Sequence, residues 1–302
     1  MSILENVSLK SYSYYQTGGQ CNVLYLPESK EELVDCLRHY QQNPLPYFIL
    51  GAGSNSLVLD QNFQGAVFHL RELNHILKNK DIVTCGAGVE NNSLASFAKD
   101  HGLSGVEWIN GLPGHVGGTV RMNARCYGGE ISQIAKSVYT IDMQGNFKEY
   151  GSEAFRGYKD TLLMDNHEIV WQVDFQLEQG KDVDLELMDN CFQDRQSKGQ
   201  YDFPSCGCVF KNNYKVGRSS GSLLEEAGAK DLSTGGAKVS PHHANFVYND
   251  HATSDEIISL TLQMRELVWN KFQIWLEYEM EILGTLPVDL AKKINEFRQS
   301  VI

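Results

Sequence analysis

Residues 46–59 read PYFILGAGSNSLVL. A strand-like run, Tyr47 to Leu50, enters Gly51-Ala52-Gly53-Ser54-Asn55-Ser56. The spacing nearly matches the G-x-G-x-x-G dinucleotide fingerprint, with Ser56 where the third glycine belongs. In a Rossmann crossover that fingerprint opens a helix. Here Leu57-Val58-Leu59 reads as another short strand, and Asp60 to Gly65 as a turn. The stretch therefore predicts strand, glycine loop, strand, and argues against a Rossmann crossover. Such a loop grips a pyrophosphate with its own main chain. Glycine lets the backbone approach a ligand closely, and successive N–H groups form a concave anion site.

A second loop supplies context. Residues 111–130 read GLPGHVGGTVRMNARCYGGE, with Gly111, Gly114, Gly117 and Gly118 crowded around Pro113. That composition suits neither a packed helix nor a packed strand, so the stretch is predicted as a loop beneath a phosphate-bearing cofactor. An ordinary glycine-rich turn is the alternative. Asn123, Tyr127 and Gly128 follow at once. The candidate cofactor set is thus Gly51, Ala52, Gly53, Ser54, Asn55 and Ser56 with Gly111, Pro113, Gly114, Gly117, Gly118, Asn123, Tyr127 and Gly128. Ser54 and Asn55 could merely cap a turn; the surrounding glycines favour cofactor contacts. His115 reads as a loop residue near the cofactor and not as a base.

The 302 residues suggest two or three domains. Lys and Arg number 26 against 38 Asp and Glu, a net charge of −12. A general nucleic-acid binder needs a basic footprint, so that class is excluded, while a local basic pocket for an anionic substrate is not. Seven irregularly spaced cysteines argue against a disulfide framework and for a reducing cytosol. Cys206-x-Cys208 lacks a second ligand pair, so no metal is expected. MSILENVSLKSYSYYQ has no apolar signal-peptide core, and no run approaches the ~20 apolar residues of a membrane span. A cytoplasmic protein without a membrane partner is expected.

Along the chain, Gln20 to Leu26 reads as a strand and Ser29-Lys-Glu-Glu32 as a capping box. The helix it opens has apolar positions at Leu33, Val34, Leu37 and Tyr40. Residues 81–86 and 92–101 repeat strand and helix, with Gly102 as the residue past the helix end. Asp142 to Asn146 is a hairpin tip, and Val183 to Ser197 is polar and helix-prone. Cys206 to Lys211 alternates like a strand. Ser222-Leu-Leu-Glu225 is read as a second capping box, for a helix ended by Gly228. Asn245 to Asn249 is a strand, and Thr253 to Phe272 the longest helix, with Ile257, Leu260, Met264, Leu267, Val268 and Phe272 at helical spacing. From Ile274 to Leu283 the alternation puts Ile274, Leu276, Tyr278, Met280 and Ile282 on one face, and Trp275, Glu277, Glu279 and Glu281 on the other.

Taken in order, these segments resemble the UDP-N-acetylenolpyruvoylglucosamine reductase family. The resemblance covers roughly residues 10–285. It rests on Thr17-Gly18-Gly19, the Gly51–Ser56 loop, GLPGHVGG with MNARCYGGE, Gly157-Tyr158-Lys159-Asp160, PSCGCVFKN at 204–212, GGAKVSPHHANFVYN at 235–249 and Leu276-Glu277-Tyr278-Glu279. It implies an α+β fold: a two-lobed FAD-binding region of the vanillyl-alcohol-oxidase type, lobes 1–70 and 71–194, followed by an α+β substrate-binding domain, 195–302. The extra tyrosine loop of one family branch has no obvious counterpart here. The implied reaction is NADPH-dependent and FAD-mediated. A UDP-sugar enolpyruvyl ether receives hydride at C3 from reduced flavin N5 and a proton at C2, giving UDP-N-acetylmuramate for the cell wall. A cation near the substrate carboxylate would stabilise the developing charge, and a general acid would protonate C2. A monomer or weak oligomer is expected.

The resemblance also implies roles residue by residue. The family's proton-donating serine is Cys208 here, its arginine after tyrosine is Lys159, and the glutamate closing L-E-x-E is Glu279. Tyr158, Lys211 and Asn212 fall at substrate-binding positions. Two departures matter. A thiol, near ~8.5 unperturbed, is a stronger acid than an alcohol. Lysine does not replace the planar fork of arginine on a carboxylate. Arg125-Cys126 stands where the family usually has glycine-alanine, so Arg125 is a candidate source of the missing guanidinium. By spacing alone, Cys208 could be a small core residue, Glu279 part of a solvated face and Lys159 a surface charge. Arg195 and Lys198 fit linker charge as well as a substrate diphosphate. Another flavin enzyme on the same scaffold, or a non-catalytic relative, are the competing functions.

Overall fold

The computed structural model describes residues 2–180 and 182–300. The chain forms two compact units. The first comprises residues 1–7, 22–52 and 64–194; the second comprises 8–21, 53–63 and 195–302. The glycine loop at 51–56 is thus divided between Ala52 and Gly53. No helix among the described residues is long and apolar enough to cross a membrane.

The first unit is built on two sheets. One has the strand order Ser2–Ser8, Gln20–Leu26, Phe63–His69, Tyr47–Leu50. Tyr47–Leu50 runs parallel to Phe63–His69, with Leu50 opposite His69. A parallel pair needs a covered face. The helix Lys30–Gln42 supplies the cover with buried Leu33, Cys36, Leu37 and Tyr40, and Tyr25 stacks on Phe68 at 4.7 Å. The N-terminal signal of that helix holds in part. Ser29 Oγ accepts from Glu32 N at 3.2 Å, but the Glu32 carboxylate reaches back to Glu28 N at 3.0 Å, one residue before the cap.

The second sheet has the order Phe147–Tyr150, Ala135–Ile141, Ile169–Gln176, Ile82–Gly86, Ile76–Asn79, antiparallel throughout. Its core joins Val83, Cys85, Val138, Val173 and Phe175 to Leu94, Ala95 and Ala98 of the helix Asn91–Asp100. Behind this sheet Glu168, 4 % exposed, accepts from Thr140 Oγ1 at 2.6 Å, from Tyr150 Oη at 3.0 Å and from Lys148 Nζ. Glu168→Ala strands the Thr140 hydroxyl, whose residue is fully buried. The expected loss is about 1–3 kcal/mol, read in urea unfolding.

In the second unit the helix Ser254–Phe272 carries the core residues Ile257, Leu260, Met264 and Val268. It starts with a complete capping box, Thr253 with Glu256. It packs with the sheet Ser233–Thr234, Ala237–Val239, Val247–Asn249. The strand Ser56–Val58 pairs in parallel with Glu281–Leu283. The chain after the first glycine loop is therefore a strand and not a helix, and no Rossmann crossover follows it.

Three local expectations are corrected. The helix Ser220–Ala227 is capped by Ser219, which accepts from Ser222 N at 3.1 Å; Ser222 lies inside the first turn instead of opening it. Residues 206–211 form no regular strand, only isolated bridges Cys208–Phe246 and Phe210–Tyr278. Residues 116–121, read as loop, form a one-and-a-half-turn helix that includes Gly117 and Gly118. Its reason is packing. A Cβ at Gly117 would stand 2.8 Å from Ala87 Cβ, and Gly117 N donates to Ala87 O at 2.9 Å. Only glycine lets the helix lie so close to that strand end.

Candidate functional site

In the first unit the start of the first glycine loop, Gly51, lies near His115 of the second. A Cβ at Gly51 would lie 3.9 Å from His115 Cβ and 4.0 Å from its Nδ1. The 111–118 loop is stitched to residues 87–92: Gly111 N donates to Asn92 Oδ1 at 2.6 Å, Asn91 N to Gly114 O at 3.1 Å and Val116 N to Val89 O at 2.8 Å. Gly111 and Gly114 both have positive φ, 78° and 127°. His115 is half-buried, and burial, with Arg71 adding, pushes its imidazole below the ordinary value against the opposing pull of Glu90 and Glu72. Its Nδ1 is buried with no hydrogen-bond partner among the described residues. Gly118 is exposed with nothing near its Cα to crowd a side chain.

The segment after that helix is a short ribbon, Arg125–Cys126 paired with Gly129–Glu130. Asn123 is fully buried. Its Nδ2 donates to Glu130 Oε1 at 2.6 Å and to Gly157 O at 2.9 Å, and its Oδ1 accepts from Ser132 N at 3.0 Å. The amide is thus spent on protein partners, and what Asn123 offers a cofactor is main chain. Tyr127 Oη donates to Asp194 Oδ2 at 2.6 Å. Arg125 is half-exposed, with Nε 3.7 Å from the Glu130 carboxylate. Lys159 is buried, 8 % exposed, at the tip of the hairpin Phe155–Gly157 and Asp160–Thr161, and Tyr158 is half-buried beside it. Asn123, Tyr127 and Lys159 all adopt left-handed backbone, φ 44°, 48° and 52°. Non-glycine residues held there are uncommon and cluster where function holds them.

In the second unit Cys208 and Glu279 lie on adjacent segments. Glu279 N donates to Val209 O at 2.8 Å, and Lys211 N to Glu277 O at 2.9 Å. Asn55 ties the first glycine loop to the same place: its Nδ2 donates to Glu279 O at 2.9 Å, and its carbonyl accepts from Glu281 N at 2.9 Å. On the other side Val209 N donates to Asn245 O, Phe210 N to Asn245 Oδ1 at 3.0 Å, and Asn245 Nδ2 to Phe210 O at 2.8 Å. Fully buried Asn245 had no role in the sequence reading, yet it fixes the Cys208 segment. Cys208 is half-buried, whereas Cys206 is core. Burial pushes the Cys206 thiol well up, with the nearby Cys208 and Glu279 adding to it. Asn212 Oδ1 accepts from Ser220 N at 2.9 Å, before the helix Ser220–Ala227. Lys211 is half-buried, and Arg195 is 6 % exposed, which rules out simple linker charge.

Sequence reasoning also passed over Ser13 and Thr17. A Cβ at Gly53 would stand 3.1 Å from Ser13 Cα. Ser13 Oγ and Thr17 Oγ1 are buried with no hydrogen-bond partner among the described residues. The only sequence signal was the Thr17-Gly18-Gly19 motif.

The sequence profile described as "UDP-N-acetylenolpyruvoylglucosamine reductase, C-terminal domain" matches residues 199–283, and the profile "FAD binding domain" matches residues 22–151. The UDP-N-acetylenolpyruvoylglucosamine reductase of Geobacillus thermodenitrificans is 34% identical over 287 residues, covering 94% of this chain and 93% of its own. That of Treponema denticola is 36% identical over 296 residues, covering 91% and 92%. The chain belongs to the UDP-N-acetylenolpyruvoylglucosamine reductase family. Its fold agrees with a family crystal structure, the enzyme of Thermus caldophilus: TM-score 0.75 at 31% identity, covering 93% of this chain and 98% of that one. The α+β fold with an FAD-binding domain is thereby established. The residues present suit that cofactor. In the first unit Gly111 and Gly114 hold positive φ, and His115 Nδ1, near Gly51, is buried with no hydrogen-bond partner among the described residues. In the second unit the same is true of Ser13 Oγ, beside Gly53, and of Thr17 Oγ1.

Proposed function

We propose that this protein reduces UDP-N-acetylglucosamine enolpyruvate to UDP-N-acetylmuramate in cell-wall synthesis, with FAD bound and NADPH as co-substrate. The observation that carries the reading is family membership along nearly the whole chain. Residues 1–70 and 71–194 serve as the two FAD-binding lobes and 195–302 as the substrate domain. The reach of the C-terminal profile, residues 199–283, supports the last of these boundaries.

Gly51–Ser56, with Gly111, Pro113, Gly114, Gly117, Gly118, Tyr127, Gly128 and the main chain of Asn123, hold the cofactor. When bound, FAD supplies hydride transfer, accepting from NADPH and delivering to C3 of the enolpyruvyl ether. The rest falls to the side chains. As negative charge develops at C2 and spreads into the carboxylate, the Lys159 ammonium stabilises it. Its burial raises the worth of that interaction, since charges attract more strongly away from water. Cys208 delivers its thiol proton to C2. Glu279, on the segment hydrogen-bonded to Val209, is the third catalytic residue. Tyr158, Lys211 and Asn212 bind the UDP-sugar. Arg125 adds cationic character, moderated by Glu130. A monomer or weak oligomer suffices, because these roles all come from one chain.

The test is anaerobic. The holoenzyme, reduced by NADPH, is mixed with UDP-N-acetylglucosamine enolpyruvate. Reoxidation without oxygen, with UDP-N-acetylmuramate as product, supports the reading. A flavin that stays reduced refutes the substrate assignment.

A further inference from the structure

We infer that Glu130 is a positioning residue for Lys159, acting through Asn123. The inference rests on the proposed role of Lys159 and gives Glu130 a task beyond its pairing with Arg125. Lys159 sits in a two-residue turn between Gly157 and Asp160, with its own backbone left-handed at φ 52°. Such a turn in a non-glycine residue persists only where its surroundings hold it. After the tip, Arg156 braces it by ion pairs to Asp160 and Asp165, both 2.6 Å, and by donating to Thr161 O at 2.8 Å. At the residue that enters the turn, the brace is Asn123 Nδ2 on Gly157 O at 2.9 Å.

That brace works only with the amide in one orientation. Flipped, Asn123 would set its oxygen against Gly157 O and its NH2 against the Ser132 N–H. The Glu130 carboxylate locks it: Oε1 takes the other Nδ2 proton at 2.6 Å, and an amide oxygen in that place would meet a negative charge. Glu130 is itself fixed by Ser132 Oγ at 2.8 Å, by Arg125 Nε at 3.7 Å and by its strand pairing with Arg125. Asn123 is 0 % exposed, so water cannot stand in for a lost partner. The chain of contact therefore runs from Arg125 through Glu130 and Asn123 to the turn that presents Lys159. Arg125 takes part in it as the partner of Glu130.

The test uses holoenzyme carrying Glu130→Ala, Glu130→Gln, Lys159→Ala and the double variant Glu130→Ala/Lys159→Ala. Two steps are timed separately by anaerobic rapid mixing: reduction by NADPH, and reoxidation by UDP-N-acetylglucosamine enolpyruvate. Flavin content and unfolding midpoint are measured alongside. A misplacement of a catalytic cation by a fraction of an ångström to an ångström slows the step it serves by about ten- to a hundredfold. Glu130→Ala is expected to slow reoxidation by that factor while reduction by NADPH and flavin content stay at wild-type values. Glu130→Gln, which keeps an acceptor for Asn123, is expected to recover most of the loss. The double variant is expected to be no slower than Lys159→Ala alone, because residues acting through one another do not add. Multiplying effects in the double variant, or an equal slowing of both steps in Glu130→Ala, overturn the positioning role and leave Lys159 as proposed. Wild-type reoxidation in Lys159→Ala overturns the role of Lys159 itself, and the inference falls with it.

Discussion

Cys208→Ala leaves reduction by NADPH intact and lowers substrate-dependent reoxidation by about 10²–10⁴-fold, the span of a lost general acid. The reason is local. Cys208 is the half-buried thiol of a pair whose other member, Cys206, is sealed in the core and held strongly protonated by burial. Its segment is pinned by Asn245 on one side and by Glu279 on the other, so removing a sulfur does not free the backbone. Cys208→Ser restores a proton donor of the kind that the family pattern carries, and turnover should lie between alanine and wild type. The check is the reoxidation rate measured for all three proteins. If the alanine variant reoxidises at the wild-type rate, C2 takes its proton from elsewhere and Cys208 is a packing residue.

How much of this was legible beforehand depends on how far each feature reaches. The first glycine loop was readable because its signal is local: strand, Gly-Ala-Gly, strand, with the Ser56–Val58 strand then found as expected. The helix at Val116–Arg121 was not, because Gly117 is there to meet Ala87, and no local rule says that Ala87 lies opposite. The alternation from Ile274 to Leu283 was half right. Glu277 is exposed and Glu279 half-buried, but Trp275 shares burial with Ile274 and Leu276. Its ring lies under the Arg265 and Arg298 guanidinium groups, each 4.2 Å from the centroid. A fully buried arginine in the middle of a helix defeats any pattern that counts charge as solvent-facing. In the site, the residues with a chemical signature were visible one by one. Asn123 was singled out as a cofactor residue but not as the amide that braces Gly157, and Asn245 was not singled out at all, since an asparagine's partners are set by segments far away in sequence.

Gly53→Val should yield a folded protein with little or no bound FAD. Gly53 has φ 69°, where a Cβ costs an L-residue roughly 1–2 kcal/mol and a β-branched side chain is a genuine outlier. The space is also closed. The Cβ would stand 3.1 Å from Ser13 Cα and Tyr14 N and 3.4 Å from Tyr12 O, all main chain that cannot swing aside. Relief must come from the loop itself, and a loop that moves takes the orphaned Ser13 hydroxyl and the Asn55 tie to Glu279 out of register. If the strain and about 1–3 kcal/mol of overpacking fall on the binding-competent loop, affinity drops by roughly a hundredfold or more, at tenfold per ~1.4 kcal/mol. Gly53→Ala should lose less, because it adds the strained Cβ without branching. Gly145 separates strain from position. It has φ 88° at a hairpin tip with nothing near its Cα, so Gly145→Ala carries the backbone penalty and should keep its flavin. Titration of each apoprotein with FAD, followed by flavin fluorescence, orders the three. Wild-type affinity in Gly53→Val would remove the first glycine loop from the cofactor site, because a contact that survives both the strain and the displaced main chain was never made there.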